Sequence, residues 1–166
     1  MGFFSKLFGK SAPAGFDGNK IYAPLNGKAV PITEVPDPTF AEGLLGDGIA
    51  IIPTDGKVYS PVDGVVETMF DTGHACCLKS GTGAEILIHV GLETVGLNGA
   101  PFTIHCKNGD QVKKGQLLWE ADLAAIQAAG LPIITPVLIC NPDDFSAIEK
   151  FSGDVTNDDV VIALTK

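Results

Sequence analysis

The sequence contains no arginine. All 11 basic residues are lysines, set against 20 aspartates and glutamates, so the net charge of the 166-residue chain is −9. A nucleic-acid-binding face needs clustered cations, so we expect no nucleic-acid partner. The arginine forks that commonly hold phosphate are absent too. Any phosphate chemistry must therefore use backbone N–H groups, hydroxyls, lysine or histidine.

Three further patterns are missing. No apolar run approaches the roughly 18 residues of a membrane-spanning helix. No G-x-x-x-x-G-K-[ST] loop is present, so phosphate would not come directly from ATP in the P-loop manner. The cysteines show no C-x-x-C spacing and follow no secretory signal, so we expect reduced thiols in a cytoplasmic protein. They are Cys76, Cys77, Cys106 and Cys140.

Turn signals and short apolar runs dominate what is present. The chain has 20 glycines and 11 prolines, and 45% of its residues are hydrophobic, which is typical of a globular domain of short strands. From residue 20 onward, six Asn-Gly or Asp-Gly pairs predict tight turns. The predicted strands are 28–31, 48–52, 64–70, 75–79, 85–90, 116–120, 137–139 and 160–164. A helix is predicted at 122–129, stopped by Gly130, with a weaker helical turn at 142–150.

One short pattern occurs twice. The sequence Ile-Tyr-Ala-Pro-Leu-Asn-Gly at 21–27 returns as Val-Tyr-Ser-Pro-Val-Asp-Gly at 58–64. Two copies are too few for a solenoid. We predict two similar strand-turn-strand elements that face each other in one sandwich.

The first 20 residues differ from the rest in charge. They carry a net +2, which leaves −11 for the remainder. Four apolar residues recur at helical spacing beside two lysines; these are Phe3, Phe4, Leu7, Phe8, Lys6 and Lys10. The pattern favours a weak membrane-surface anchor in residues 1–10, and the alternative is a disordered start that packs on its own domain. We divide the chain into a flexible segment, 1–19, and a domain, 20–166.

Two of the three histidines are placed to meet. His74 and His89 are 15 residues apart, and Ser80-Gly81-Thr82-Gly83 forms a turn midway between them. A hairpin folded there brings position 74 opposite position 89. His89 lies in an apolar strand, where an unpaired imidazole is costly. It is either a hydrogen-bonded core residue or half of a functional pair.

Two chemistries suit such a pair. Zinc takes four ligands, of which at least three usually come from protein, and the H-x-x-x-D and H-x-H patterns of zinc peptidases fail here, so a zinc site needs a ligand from another molecule. The second chemistry is phosphoryl transfer through a phosphohistidine. The His74 imidazole and the Thr72 hydroxyl could then hold the phosphoryl oxygens.

From Ile21 to its end, the chain resembles the glucose-class enzyme IIA proteins of the bacterial sugar phosphotransferase system. The most specific matches are Thr72-Gly73-His74 and the run Ile-His-Val-Gly-Leu-Glu-Thr-Val at 88–95, at a spacing of 15 residues between the histidines. Ala-Pro-Leu-Asn-Gly at 23–27, Phe-Ala-Glu at 40–42, Gly-Asp-Gly-Ile-Ala-Ile at 46–51 and Ser-Pro-Val-Asp-Gly at 60–64 also match.

This resemblance implies an all-β fold, an antiparallel, barrel-like β-sandwich with few short helical turns. His89 would accept a phosphoryl group on Nε2 from the histidine phosphocarrier protein and pass it to a cysteine on the IIB domain of a sugar permease. His74 would hold the group and be needed for onward donation, with Thr72 in a supporting network. No cofactor would be required for the transfer.

The resemblance also implies a docking face and regulation. Its apolar positions are Phe40, Leu44, Leu45, Phe70, Leu87 and Val95, and Asp37 and Glu93 would meet basic residues of the phosphocarrier. In the family, the two histidines can bind zinc with a third ligand from a regulated partner such as glycerol kinase. Sugar permeases are further regulatory partners. The implied location is the cytoplasm, near the inner face of the membrane.

The sequence departs from the family pattern at a few positions, and two other functions are also considered. Cys76 and Cys77 stand where the family pattern suggests larger side chains, and His105 matches no family site, so we interpret it as a surface residue. The segment 108–120 is similar to one in biotinyl and lipoyl carriers and in lysostaphin-type zinc endopeptidases. A zinc-dependent hydrolase on a related sandwich is the main alternative. A carrier domain would need a lysine in Met-Lys-Met or Asp-Lys-Ala, and the chain has neither.

Overall fold

The computed structural model describes residues 19–166, whose regular structure is mostly antiparallel strands joined by turns and loops. The strands are β1 (Lys20–Tyr22), β2 (Gly27–Pro31), β3 (Asp47–Pro53), β4 (Lys57–Tyr59), β5 (Gly64–Met69), β6 (Ala75–Ser80), β7 (Glu85–His89), β8 (Phe102–Ile104), β9 (Gln111–Val112), β10 (Leu117–Ala121), β11 (Thr135–Ile139), β12 (Ala147–Lys150), β13 (Gly153–Val155) and β14 (Val160–Thr165). The helices are α1 (Pro38–Ala41) and α2 (Leu123–Ala128), with single 3₁₀ turns at Ile32–Glu34, Thr94–Leu97 and Pro142–Asp144.

Three sheets enclose the main core. The largest has the order β13-β2-β3-β11-β7-β6-β5-β9, and the two smaller sheets are β1-β14-β12 and β4-β10-β8. Buried residues from the small sheets, such as Ile21, Trp119 and Ile162, pack in one cluster with Ile51 and Ile88 of the large sheet. This confirms the predicted antiparallel β-sandwich with few short helical turns.

A second, smaller core lies on part of the opposite face of the large sheet. Its buried members are Val30, Ile32, Val35, Phe40, Ala50, Leu92 and Leu138. The segment from Ile32 to Phe40 supplies three of them, because the 3₁₀ turn and α1 fold over the sheet there. Asp37 begins α1, and its carboxylate accepts a hydrogen bond from the Thr39 amide at 3.0 Å. The sheet is therefore covered on both sides at β2, β3 and β11.

The two copies of the repeated pattern do face each other. The Tyr22 amide donates to the Pro61 carbonyl at 3.1 Å, and the Tyr59 amide donates to the Pro24 carbonyl at 2.7 Å. Each copy thus gives and receives one backbone hydrogen bond at equivalent positions. The paired strand-turn-strand elements predicted from the sequence are confirmed.

Local predictions were met unevenly. The helix at 122–129 is α2, capped by the Asp122 carboxylate, which accepts from the Ala125 amide at 3.1 Å. The helical turn predicted at 142–150 is wrong beyond its first residues, because the 3₁₀ turn ends at Asp144 and β12 then pairs with β14. The predicted anchor at 1–10 lies outside the described residues. No helix within 19–166 is long and apolar enough to span a membrane.

Close packing explains why each copy of the repeated pattern ends in glycine. A Cβ at Gly64 would lie 2.2 Å from the Lys79 carbonyl oxygen, and one at Gly27 would lie 2.1 Å from the Ile52 carbonyl oxygen. Backbone of the neighbouring strand occupies this space and cannot move aside as a flexible side chain could. The recurrence of glycine in the pattern follows from this close approach.

We predict that Gly64→Ala lowers the free energy of unfolding by about 1–3 kcal/mol, the usual cost of overpacking. The matched control is Gly81→Ala, because a Cβ at Gly81 meets no atom within 4 Å, and its effect should stay within about 0.5 kcal/mol. Urea denaturation measures both. Equal stabilities of the two variants would contradict the close approach.

Candidate functional site

The structure brings His74 and His89 together at one end of the β6–β7 hairpin. Their ring centroids are 5.2 Å apart, and the ring planes meet at 73°. The strand register differs by one residue from the prediction, since Ala75, not His74, is the Cα partner of His89. His74 lies just before β6, where its carbonyl accepts a hydrogen bond from the Val90 amide at 2.8 Å. The predicted meeting is therefore observed, but through the turn before the strand.

Gly73 makes that turn. Its φ is +69°, a left-handed conformation that side chains disfavour, and a Cβ there would lie 2.5 Å from the Phe102 Cβ. Within β6, position 74 would point to the same face as buried Cys76. Because the chain turns at Gly73 instead, the His74 ring leaves the strand alternation and reaches His89.

A backbone carbonyl fixes the tautomer of His89. Its Nδ1 lies 2.8 Å from the Gly91 carbonyl oxygen. A carbonyl only accepts hydrogen bonds, so Nδ1 carries the proton and the lone pair of the neutral ring is on Nε2. Gly91 has a φ of +73°, and a Cβ there would lie 2.8 Å from the Pro132 carbonyl oxygen. The Val-Gly-Leu turn after β7 thus directs a carbonyl back to the imidazole.

Thr72 orients the second histidine. The Thr72 hydroxyl is 2.6 Å from His74 Nδ1. When the hydroxyl donates this bond, the neutral His74 ring carries its proton on Nε2. The pair then presents a nitrogen lone pair on one ring and an N–H donor on the other, an arrangement that suits phosphoryl transfer.

Burial keeps both imidazoles neutral. Desolvation lowers the pKa of His74, and the neighbouring charge of protonated His89 lowers it further. Desolvation also lowers the pKa of His89, partly opposed by the Gly91 hydrogen bond and by the carboxylates of Asp37 and Glu93. The net direction is downward for both rings, so both favour the uncharged form at neutral pH.

Two aromatic side chains pack against the pair. The Phe40 ring centroid is 5.1 Å from that of His89, and the Phe70 ring is 5.0 Å from His74. Four of the predicted docking residues are exposed although apolar; these are Leu44 at 70%, Leu45 at 43%, Phe70 at 38% and Val95 at 48%. Phe40 is buried, and half-buried Leu87 packs against the second core. Phe40 and Phe70 therefore contact the histidine rings, and the docking role of the six apolar residues stays a prediction.

The acidic residues and the remaining candidates are also placed. Asp37 and Glu93 lie near enough to His89 to favour its protonated form, and Glu93 adopts a left-handed φ of 62° just before a 3₁₀ turn. Cys76 is fully buried, whereas Cys77, on the other face of β6, is half-buried and pairs with Leu87. All four cysteines are free thiols. His105 is exposed and bonds to Glu120 at 2.8 Å.

Sequence reasoning missed three contributors to the site. These are the Gly91 carbonyl, the turn at Gly73 and the Phe102 ring packed against that turn. The glycines on either side of the histidines were a usable signal, because glycine next to a functional residue often marks an unusual backbone conformation. Phe102 gave none, since it lies in a three-residue strand far along the chain.

Zinc chemistry has only partial support from the side chains present. The two imidazoles could supply two ligands, but residues 19–166 hold no group of three or more His, Cys, Asp or Glu that could bind a metal ion. A structural or hydrolytic zinc site needs at least three protein ligands. The zinc-dependent hydrolase alternative is therefore not supported.

Comparison with known proteins agrees with the geometry. The family model of the phosphoenolpyruvate-dependent sugar phosphotransferase system, EIIA 1, matches residues 19–145. A glucose-specific EIIA component of Halalkalibacterium halodurans is 46% identical over 89% of this chain and 88% of its own length. A beta-glucoside-specific EIIBCA component of Dickeya chrysanthemi is 49% identical over 80% of this chain but only 21% of its own length.

A solved structure extends the likeness to three dimensions. The glucose permease IIA from Mycoplasma capricolum superimposes with a TM-score of 0.79 at 33% identity, covering 86% of this chain and 93% of that one. The family match spans most of the described domain, including both histidines. The chain belongs to the EIIA 1 family of the phosphoenolpyruvate-dependent sugar phosphotransferase system, and so is a phosphotransferase component.

Proposed function

We propose that the protein carries a phosphoryl group on His89 Nε2, taken from the histidine phosphocarrier protein and given to a cysteine on the IIB domain of a sugar permease. The observation that carries this proposal is the His89 Nδ1–H bond to the Gly91 carbonyl, which leaves the Nε2 lone pair available. The neighbouring His74 ring offers a hydrogen-bond donor. No nucleotide, metal or other cofactor takes part in the transfer.

Each transfer is a displacement at phosphorus. The Nε2 lone pair of neutral His89 attacks the phosphorus of the donor phosphohistidine, the new N–P bond forms, and the donor N–P bond breaks. His74 Nε2–H donates to a phosphoryl oxygen and stabilises the charge there. In the second transfer, the cysteine thiolate of IIB attacks the phosphorus, and His89 leaves as a neutral imidazole.

The surface of the protein and the domain composition of its relatives indicate which partners it has. The apolar docking residues exclude water around the reacting nitrogen, and the acidic charge of the domain suits a basic phosphocarrier. The Dickeya relative contains the matching region within a longer chain whose name joins B, C and A. We propose a IIB partner for glucose or a related sugar, in the cytoplasm, with residues 1–10 touching the inner face of the membrane.

Regulation uses the same face. The unphosphorylated docking residues would bind sugar permeases or a metabolic enzyme such as glycerol kinase, and the negative charge of phosphate on His89 would disfavour that contact. His74 and His89 could also hold a zinc ion, provided that the partner supplies a third ligand. Such a shared zinc would strengthen the regulatory complex without entering phosphotransfer.

We predict that His89→Ala abolishes phosphorylation by phosphoenolpyruvate, enzyme I and the phosphocarrier, because no other nitrogen occupies that position. His74→Gln should still be labelled but fail to donate to IIB, since the glutamine amide can donate a hydrogen bond to a phosphoryl oxygen but cannot exchange a proton near neutral pH as an imidazole can. Radiolabel on the protein, stable to base and labile to acid, measures both steps. His105→Gln is the matched control and should behave as wild type; normal labelling of His89→Ala would refute the proposal.

The pH dependence tests the burial of the pair. Imidazole NMR titrations should give midpoints below the ordinary value of 6.5 for His74 and His89. Phosphoryl acceptance should therefore persist below pH 6.5 and fall only as pH drops through the lowered His89 pKa. The unfolded state binds these protons first, so stability is complete above about pH 6.5 and declines below it.

A variant separates the two causes of the lowered His74 pKa, which are burial and the charge of His89. His89→Gln should raise the His74 midpoint, because it removes the positive charge that disfavours protonation of the neighbouring ring. Midpoints at or above 6.5 for both rings in the wild-type protein would contradict the assigned burial.

A lysine introduced among the predicted docking residues tests whether they contact the phosphocarrier. Val95→Lys should raise the KM for the phosphocarrier about 5–30-fold, the effect of losing about 1–2 kcal/mol at an interface residue, with kcat nearly unchanged. Phe151→Lys is the matched control, because Phe151 is a similarly exposed apolar residue at the end of β12. Steady-state phosphotransfer assays measure both, and equal KM values would place the contact elsewhere.

A further inference from the structure

Thr94 is a fully buried polar residue that the proposed mechanism does not use. It lies five positions after His89 and begins the 3₁₀ turn Thr94–Leu97. Its hydroxyl donates a hydrogen bond to the Val90 carbonyl at 2.5 Å. Threonine hydroxyls in helices commonly bond to the carbonyl four residues earlier. Here, however, Val90 follows β7 and lies before the 3₁₀ turn, so the bond joins two different local structures.

Val90 directly follows His89 and links the Thr94 hydroxyl to both histidines. Its amide donates to the His74 carbonyl at 2.8 Å, and its carbonyl accepts from Thr94. Val90 is fully buried, and a buried carbonyl needs a hydrogen-bond donor. The Thr94 hydroxyl is that donor, so it fixes the orientation of the peptide group between Val90 and Gly91.

The methyl group of Thr94 packs against the same turn. A Cβ at Gly91 would lie 2.7 Å from Thr94 Cγ2 and 2.8 Å from the Pro132 carbonyl oxygen. The same Pro132 carbonyl accepts from the Leu92 amide at 3.2 Å. The hydroxyl and the methyl of one side chain therefore hold the peptide group before Gly91 and occupy the space beside it. Gly91, at a φ of +73°, then directs its own carbonyl to His89 Nδ1.

The backbone between Gly91 and Thr94 turns back to make this contact. Glu93 has a φ of 62°, a left-handed conformation that residues other than glycine rarely adopt. Such conformations persist where the surrounding contacts hold them, and they cluster at functional sites. Because the chain turns at Glu93, Thr94 lies beside Val90, and the contact is a specific feature of this loop.

We propose that Thr94 is a positioning residue for His89. Its hydroxyl holds the peptide group between Val90 and Gly91 in the orientation that directs the Gly91 carbonyl to the imidazole. It acts through the backbone and does not touch the phosphoryl group, and its consequence for transfer, a lone pair kept on Nε2, rests on the proposed function. Loss of the hydroxyl would leave the Val90 carbonyl buried without its donor. The peptide group would then rotate, which the freedom of glycine permits, and both neutral tautomers of His89 would be populated.

The test is Thr94→Val, which keeps the shape of the side chain and removes the hydroxyl. The ring nitrogens of His89 are followed by NMR in the full-length protein labelled with ¹⁵N-histidine, with a chelator to remove metal ions. The wild type should show a protonated Nδ1 and an unprotonated Nε2, and Thr94→Val should move both shifts toward averaged values. Its kcat for phosphoryl acceptance should fall about 10–100-fold, the cost of misplacing a reacting atom, with the KM for the phosphocarrier nearly unchanged.

Two further variants distinguish positioning from stability. Thr94→Ser keeps the hydroxyl and loses the methyl, so it should keep the wild-type tautomer and most of the rate even though it is less stable. Ser60→Ala is the matched control, because Ser60 is also buried and its hydroxyl donates to the Val62 carbonyl at 2.7 Å. It should lose stability in urea denaturation without changing the His89 ring shifts.

Unchanged His89 ring shifts in Thr94→Val would overturn the proposal. Shifts of equal size in Ser60→Ala would also overturn it, since they would show a general effect of lost stability. If Thr94→Val does not fold, the wild type provides the test: the Thr94 hydroxyl proton should give its own NMR signal and exchange slowly with water, and rapid exchange would refute the hydrogen bond. None of the NMR measurements needs a phosphate donor, so a failure of the positioning role is distinguished from a failure of phosphorylation on His89.

Discussion

The hydrogen bond from His89 Nδ1–H to the Gly91 carbonyl is the contact on which the rest of the site depends. It fixes the ring, selects the tautomer and leaves the lone pair of the neutral ring on Nε2, the nitrogen that we propose as the nucleophile. The carbonyl can point back to the ring only because Gly91 takes a left-handed conformation between Thr94 and the Pro132 carbonyl. A larger residue at this position would disturb the orientation of His89 before it affected the strand. The specificity of the site is therefore set by backbone geometry.

Burial and charge act on the histidines in opposite directions. Desolvation favours neutral imidazoles, which can attack phosphorus, whereas Asp37 and Glu93 favour the protonated form of His89. Desolvation is the largest effect, so the nucleophile stays available. The same carboxylates lie beside the apolar docking residues, where they can attract a basic partner. Under the proposed function, one arrangement serves both reactivity and recognition, because the carboxylates are near His89 and act on it through charge.

The sequence was sufficient to predict the sandwich, the facing repeats and the meeting of the two histidines. These follow from turn dipeptides and hydrophobic runs, which are local signals. The register was wrong by one residue, because Ser80 pairs with Ala84 around a three-residue loop, and no pattern specified that length. Strands of three residues, such as β8 and β13, were also missed. They exist because partner strands supply hydrogen bonds, so their own sequences carry little periodicity.

The absence of arginine suits a protein that must release the phosphoryl group it binds. A carrier must bind a phosphoryl group well enough to capture it and weakly enough to release it to the next protein. A bidentate guanidinium would stabilise the phosphorylated state strongly and raise the barrier to donation, because binding that is equal in ground and transition states does not speed transfer. A neutral imidazole donates a single, weaker hydrogen bond, and the Thr72 hydroxyl orients that imidazole through its bond to Nδ1. His74 and Thr72 therefore suit a group that must leave again.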